Sequence, residues 1–451
     1  MAGAVLLCIV IPGIASPNAW KRVRPGTNPP AYAAFSKSLS KEERFQHALD
    51  RLTFGPRPED FREIHRIGQK KWIDRQLQPE ELPENPALEH RLKPFDPLGM
   101  SVRDIAADLS QDKLLRAIYS NRQLEELLVD FWYNHFNVFL GKGADRYLVP
   151  AYERETIRPH VLGKFYDLLL ATAQSPAMLF YLDNWQSVSP DISAGRFARP
   201  NQKAKRGLNE NYGRELLELH TLGVDGGYTQ KDVIEVARCF TGWTIANPPK
   251  GGSFKYNDKV HDQGQKVVLG HLIPAGGGRQ DGLDVLGILA RHPSTAHFIS
   301  LKLAQRFVSD DPPPSLVNRM AQTFLQTDGD LREVMRTMLS SPEFWSQGAY
   351  RAKVKTPLEL VVGAMRATHA DVTSALSLGN QLQKLGEPLY RKIDPNGYSS
   401  AGVDWVSSAG LLDRIKFAVA LSHNLVPGVQ VDTSQALVAG LVIGSPDFQR
   451  H

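Results

Sequence analysis

The stretch "LNENYGRELLELHTLGVDGGYTQKDV" (residues 208–233) places Glu210, Arg214, Glu215, Glu218 and His220 close together. On a helical wheel of about 100° per residue, Leu208, Tyr212, Leu216, Leu219 and Leu222 form one apolar face. Glu215 falls inside that face, Arg214 and Glu218 lie to one side, and His220 sits at the opposite edge. A carboxylate on a core face must be paired, protonated or bound to metal, because bare burial is costly. Glu215 is thus expected either to hold helices in register or to act as a general acid/base or metal ligand. A second helix repeats the pattern: in "QLEELLVDFWYNHFNVF", His135 extends the stripe of Leu124, Leu127, Leu128 and Phe131. A histidine there is either a satisfied core residue or a working group. Two such residues on separate helices can meet across a bundle, where helical proteins build sites.

The segment "KVHDQGQKVVLGH" adds His261, Asp262 and His271, as ligands or acid/base groups or as a turn in which Asp262 bonds its own backbone. The catalytic candidates are Glu215, His135, Arg214 and His261; the substrate-binding candidates are Asn134, Asp262 and Trp132. The metal candidates are Glu215, His135, His220 and His261, a set that suits a first-row divalent transition metal better than calcium. A calcium loop fails: aligned on Asp225 and Gly226, its first ligands would be Thr221 and Gly223. No Walker, zincin or nucleophile-elbow pattern is present. An active site of this kind predicts Glu215, His135 and His261 within about 6 Å around an open cleft. A register network predicts Glu215 enclosed and paired with arginine.

The elements that must position these residues are mostly helices. Residues 40–79 contain three short ones, the first opened by a Ser40/Glu43 capping box and the second closed at Gly68. Further helices are expected at about 150–173, 208–223, 229–241, 281–290, 294–308, 314–326, 330–340, 356–368 and 407–422. Gly223 reads as a helix stop and Thr229 as the next N-cap. In the 294–308 helix Ala296, Ile299, Leu303 and Phe307 form the core stripe, leaving Lys302 and Arg306 to solvent or to carboxylates. Residues 186–206 and 245–280 read as loops, the latter with a small hairpin at "KVVLGHLIP". The expected fold is mainly α: a multi-helical domain with a long central loop and at most a small β-hairpin.

The chain has 451 residues, 42% hydrophobic and 22% charged, which are globular values. A net charge of +5, spread along the chain, does not argue for nucleic acid. The apolar run from Ala4 to Ile14 is too short to span a bilayer and fits a signal peptide over residues 1–19, although a basic n-region is missing. Residues 20–41 read as a Pro-rich linker, and 42–451 as one large helical domain, possibly two lobes split near 245–280. No other segment is apolar for ~18 residues, so no transmembrane domain is expected. Cys8 and Cys239 are the two cysteines; losing Cys8 with a leader leaves no internal disulfide.

Six stretches occur in order: "RLTFGPRP" (51–58), "FWYNHF" (131–136), "NENYGRELLELHTLGVDGGYTQKDVIEVARCFTGW" (209–243), "HDQGQKVVLG" (261–270), "HPSTAHFISLKLAQRFVSDDPP" (292–313) and "GLLDRIKFAVAL" (410–421). Together they resemble the bacterial family catalogued as domain of unknown function 1800, over nearly the whole chain after about residue 42. Gly213 stands where the family pattern usually has Ala. The resemblance implies export, an envelope or extracellular setting, and a sulfatase-like protein encoded nearby as a partner. It carries no established reaction. The leading expectation is an exported helical enzyme using acid/base or metal-assisted chemistry on a polysaccharide or sulfated glycan. The site would lie between the 124–139 and 208–222 helices under the 245–280 loop. The alternatives are an envelope assembly or scaffold protein and a metal-binding carrier.

Overall fold

The computed structural model describes residues 30–92, 100–193, 207–248, 252–432 and 436–451. The expected signal segment, Cys8, the first part of the linker and most of the 186–206 loop lie outside these residues. Helices of eight residues or more, with one composite helix, carry numbers below.

Helices α1 (Lys41–Leu52), α2 (Pro58–Ile67) and α3 (Gln69–Gln76) are the three expected from the sequence. Ser40 and Glu43 close the capping box on α1. Residues 30–40 are not a free linker. Pro30–Ser36 forms a 3₁₀ helix, Tyr32 donates to Asp311, and the Leu39 amide donates to the Trp345 carbonyl.

Helix α4 (Val102–Tyr119) was not legible in the sequence. Its inner face carries Ile105, Leu109, Leu114 and Ile118 but also the buried Lys113, which breaks the apolar pattern. Helix α5 (Gln123–His135) follows the predicted stripe. The expected 150–173 helix is broken into a π turn (Tyr152–Ile157), a 3₁₀ turn (Arg158–His160) and α6 (Phe165–Gln174), with Pro159 at the 3₁₀ turn.

Helix α7 starts as Glu210–Glu215 and continues as a π turn over Leu216–Thr221. Gly223 then leaves the helix with φ +82°, and Thr229 caps α8 (Gln230–Cys239) through a capping box with Asp232. The predicted central loop contains two antiparallel hairpins rather than one: β1 (Trp243–Ala246) with β2 (Ser253–Tyr256), and β3 (Lys266–Val268) with β4 (His271–Ile273). A third pair, β5 (Asp371–Val372) with β6 (Val429–Gln430), is two residues long.

The C-terminal half is α9 (Arg279–Ala290), α10 (Pro293–Phe307), α11 (Pro314–Gln326), α12 (Leu331–Leu339), α13 (Pro357–Ala367), α14 (Leu376–Lys384), α15 (Ser408–Ser422) and α16 (Ala436–Ile443). The fold is mainly α, and buried apolar side chains from Phe45 to Ile443 form one connected cluster among the described residues. No described helix is long and apolar enough to cross a membrane.

Candidate functional site

A polar cleft of about 490 Å³ opens where α4, α5, α10 and the start of α13 meet residues 387–404. The core stripe of α10 packs Ala296, Ile299, Leu303 and Phe307 inward. One turn apart on the adjoining face, Lys302 and Arg306 reach the cleft. The last turns of α5 supply Asp130, Asn134 and His135.

The facing wall is irregular backbone, and side-chain amides hold it. Asn134 makes two hydrogen bonds with the Tyr398 backbone: its Nδ2 donates to the Tyr398 carbonyl at 2.7 Å, and its Oδ1 accepts from the Tyr398 amide at 2.6 Å. Asn137 Nδ2 donates to the carbonyls of Lys392 (3.0 Å) and Asp394 (2.8 Å). Gly397 turns beside Asn134 with φ +70°, and any Cβ there would collide with the Asn134 carbonyl oxygen. Asn134 therefore builds the cleft wall, with both its amide nitrogen and its amide oxygen bonded to the Tyr398 backbone.

His135 is buried and lines the cleft. Its Nε2 lies 3.1 Å from the carbonyl oxygen of His220. That carbonyl sits in the last turn of α7, where carbonyls lack an intrahelical partner. A carbonyl only accepts, so Nε2 carries the proton, and in the neutral ring Nδ1 keeps the lone pair. Nδ1 is buried and has no hydrogen-bond partner among the described residues. Burial, then the Lys302 and His220 charges, push the imidazole well below its ordinary value, so it is neutral at pH 7.

Glu387 is the opposite case. It is buried, its carboxylate accepts from the Leu358 amide at 2.8 Å, and burial followed by the Asp130 charge raises it to about 8. At neutral pH it is largely protonated. Nearby Glu359 goes the other way: burial would raise it, but Arg306 at 2.5 Å, with His451 and the Thr356 amide, brings it to about 2. Burial also opposes the Lys113 charge, which Asp130 (3.0 Å) and Glu153 (3.4 Å) outweigh.

The other sequence-derived candidates lie elsewhere. The π turn adds a residue to one turn of α7 and so rotates everything after it. A regular wheel of about 3.6 residues per turn has no such step. Within the π turn Leu216, Leu217, His220 and Thr221 are buried and Leu219 is half-buried; Glu215, which precedes it, is half-buried as well. His220 thus turns inward beside His135, ring centroids 6.4 Å apart, and burial followed by the Lys302 charge brings it to about 3. Glu215 is half-buried rather than enclosed, and among the described residues no arginine of another helix pairs with it; burial and the Glu218 charge raise it. Arg214 donates to Gln230 at 2.7 Å. Trp132 is core, donating to the Val161 carbonyl at 3.2 Å.

His261 and Asp262 belong to a buried polar cluster that anchors the hairpins. His261 Nδ1 donates to the Thr241 carbonyl (2.8 Å) and Nε2 faces Asp281 (3.1 Å). Asp262 takes a bidentate bond from Arg238, both distances 2.9 Å, and Lys266 bonds Asp281 at 2.5 Å. Of the sequence candidates, only His135 and Asn134 line the cleft, and the expected convergence of Glu215, His135 and His261 is not built. Nor do Glu215, His135, His220 and His261 assemble a ligand set: among the described residues no three His, Cys, Asp or Glu side chains are grouped to hold a metal ion. Sequence reasoning missed Glu387, Lys113, Asp130 and Tyr398. The one available signal was "DPNGYSS", whose Asn-Gly pair marks a tight turn.

No curated protein and no solved structure matches the chain. The family described as "Protein of unknown function (DUF1800)" matches residues 47–450, nearly the whole chain, and the chain belongs to that family.

Proposed function

We propose that the chain is an acid–base enzyme working in the α5–α10–α13 cleft, with Glu387 as general acid and His135 Nδ1 as general base. The observation that carries this reading is the pair of opposed protonation states on one cleft: a carboxyl still protonated at pH 7 and an imidazole still neutral. Environments that drive two titratable groups in opposite directions define an acid and a base. In a hydrolysis, Glu387 gives its proton to the leaving oxygen and His135 takes one from the attacking water. Water adds across the broken bond, and proton exchange with solvent restores both groups.

The substrate class in this proposal is an envelope or extracellular polysaccharide, and export through the N-terminal apolar segment is part of it. The supporting feature is a polar, partly open cleft lined by hydroxyls, amides and Tyr398, suited to a hydroxylated ligand. The test is release of reducing ends from a polysaccharide panel by wild type, Glu387→Gln and His135→Asn. Each substitution should lower turnover by roughly 10²–10⁴-fold with little change in melting temperature. Equal turnover in wild type and Glu387→Gln would remove Glu387 from the mechanism.

A second reading, a non-enzymatic assembly or scaffold protein, has one observation in its favour. Leu411, Leu412, Ile415 and Val419 form a stripe on α15 that is 41–52% exposed, as on a helix that docks against a partner. The sulfatase-like neighbour belongs to this proposal. Leu412→Ser with Ile415→Ser should abolish co-purification with that neighbour and leave the fold intact.

A further inference from the structure

Among the cations of the cleft, most are already neutralised. Lys113 faces Asp130 at 3.0 Å, Arg306 faces Glu359 at 2.5 Å, Lys392 faces Asp394 at 3.0 Å, and Lys353 bonds Asp310. Lys302 differs. It lines the same cleft, half-buried, and among the described residues no carboxylate lies within 4.0 Å of its ammonium. Its one described partner is the face of Phe298, 5.5 Å from the ring centroid.

An ammonium withdrawn from water without a counter-ion is costly, and a ring face offsets only part of that cost. Burial accordingly lowers Lys302 from its ordinary value, and its charge acts on His135 and His220. One turn on, the Gln305 amide also lines the cleft and has no side-chain partner among the described residues. The Asn396 amide, on the opposite wall, has none either. A point charge sharing a cleft with two amides that have no side-chain partner among the described residues suits a ligand that brings a negative charge and further oxygens.

Resting on the reading of this cleft as the substrate site, we propose that the sugar it binds carries an anionic oxygen group, a carboxylate or a sulfate ester, seated on Lys302. The unpaired ammonium carries the assignment. A neutral sugar would leave it uncompensated, whereas an acidic one supplies the missing charge.

Calorimetric titration at low salt tests this on the full chain, with three probes: a hexuronic-acid oligosaccharide, a sulfated-hexose oligosaccharide and a neutral hexose oligosaccharide. At least one acidic probe should bind wild type more tightly than the neutral one, and which one does separates carboxylate from sulfate. Lys302→Met should weaken that binding roughly 10- to 100-fold, and Lys302→Arg should retain most of it. Lys302→Gln replaces the methionine variant if the latter does not fold. Equal affinity in wild type and the neutralised variant, tighter binding of the neutral probe, or no binding of either acidic probe would overturn the assignment. Binding is read without turnover, so failure of the acid–base chemistry shows separately, as activity retained in Glu387→Gln.

Discussion

Glu387 keeps its proton because burial and the Asp130 charge both oppose its ionised form, and the hydrogen bonds from the Leu358 amide and the Thr356 side chain do not reverse them. The consequence for stability has a definite sign. Between about 4.5, the ordinary carboxyl value, and about 8, the native state holds a proton that the unfolded chain has released. Stability contributed at low pH is therefore lost as pH rises through that window. Glu387→Gln removes the ionisable group, so its urea midpoint should fall less than that of wild type across the same range. Parallel curves would show that Glu387 is ionised in the native state. His135 was legible in the sequence because it extends an apolar stripe on a regular helix, where the wheel holds. Glu387 was not: "GEPLY" has no periodic context, and its burial comes from packing against residues distant in sequence.

The composite helix α7 shows how one turn changes what a helix presents. The Leu222 amide bonds the Leu217 carbonyl at 2.8 Å, five residues back, so the residues that follow turn further than a regular wheel allows, and His220 faces the core while Leu219 is half-buried. No composition signal in "LLELHT" marks that turn, so the sequence pointed at the wrong polar residue of the right helix. Gly213 has a related role: a Cβ there would lie 2.8 Å from the Val233 carbonyl oxygen of α8, so glycine sets how closely α7 and α8 approach. Alanine would favour the isolated helix by about 1 kcal/mol, yet overpacking costs roughly 1–3 kcal/mol. Gly213→Ala should therefore lower the melting temperature, and a rise would contradict the close approach. Gly397 combines positive φ with the collision at Asn134, whereas Gly386, also at positive φ, faces open space. Gly397→Ala should destabilise by more than Gly386→Ala, whose strain alone is about 1 kcal/mol. It should also speed hydrogen exchange at the Tyr398 amide. Equal losses would mean that the Asn134–Tyr398 clamp yields freely.

At the scale of the whole molecule, most helices were readable from periodicity, and so was the mainly α class, because a connected apolar core demands inward stripes on every helix packed against it. The cleft was not readable as a unit. It gathers the α4–α5 pair, α10, and α13 with an irregular wall, three stretches far apart in sequence, and its charged residues fit no motif of fixed spacing. Under the proposed function, the gathering supplies a polar site in which Glu387, the acid, keeps its proton at a pH where His135, the base, is neutral. That claim is open to infrared difference titration of the full chain from pH 4 to pH 10, wild type against Glu387→Gln. Asp145, raised by burial to about 9, adds a second protonated carboxyl to both proteins and cancels in the difference. A protonated carboxyl band should be present at pH 7 in wild type, absent from Glu387→Gln, and titrate near 8. A difference band already lost by pH 6 would contradict it.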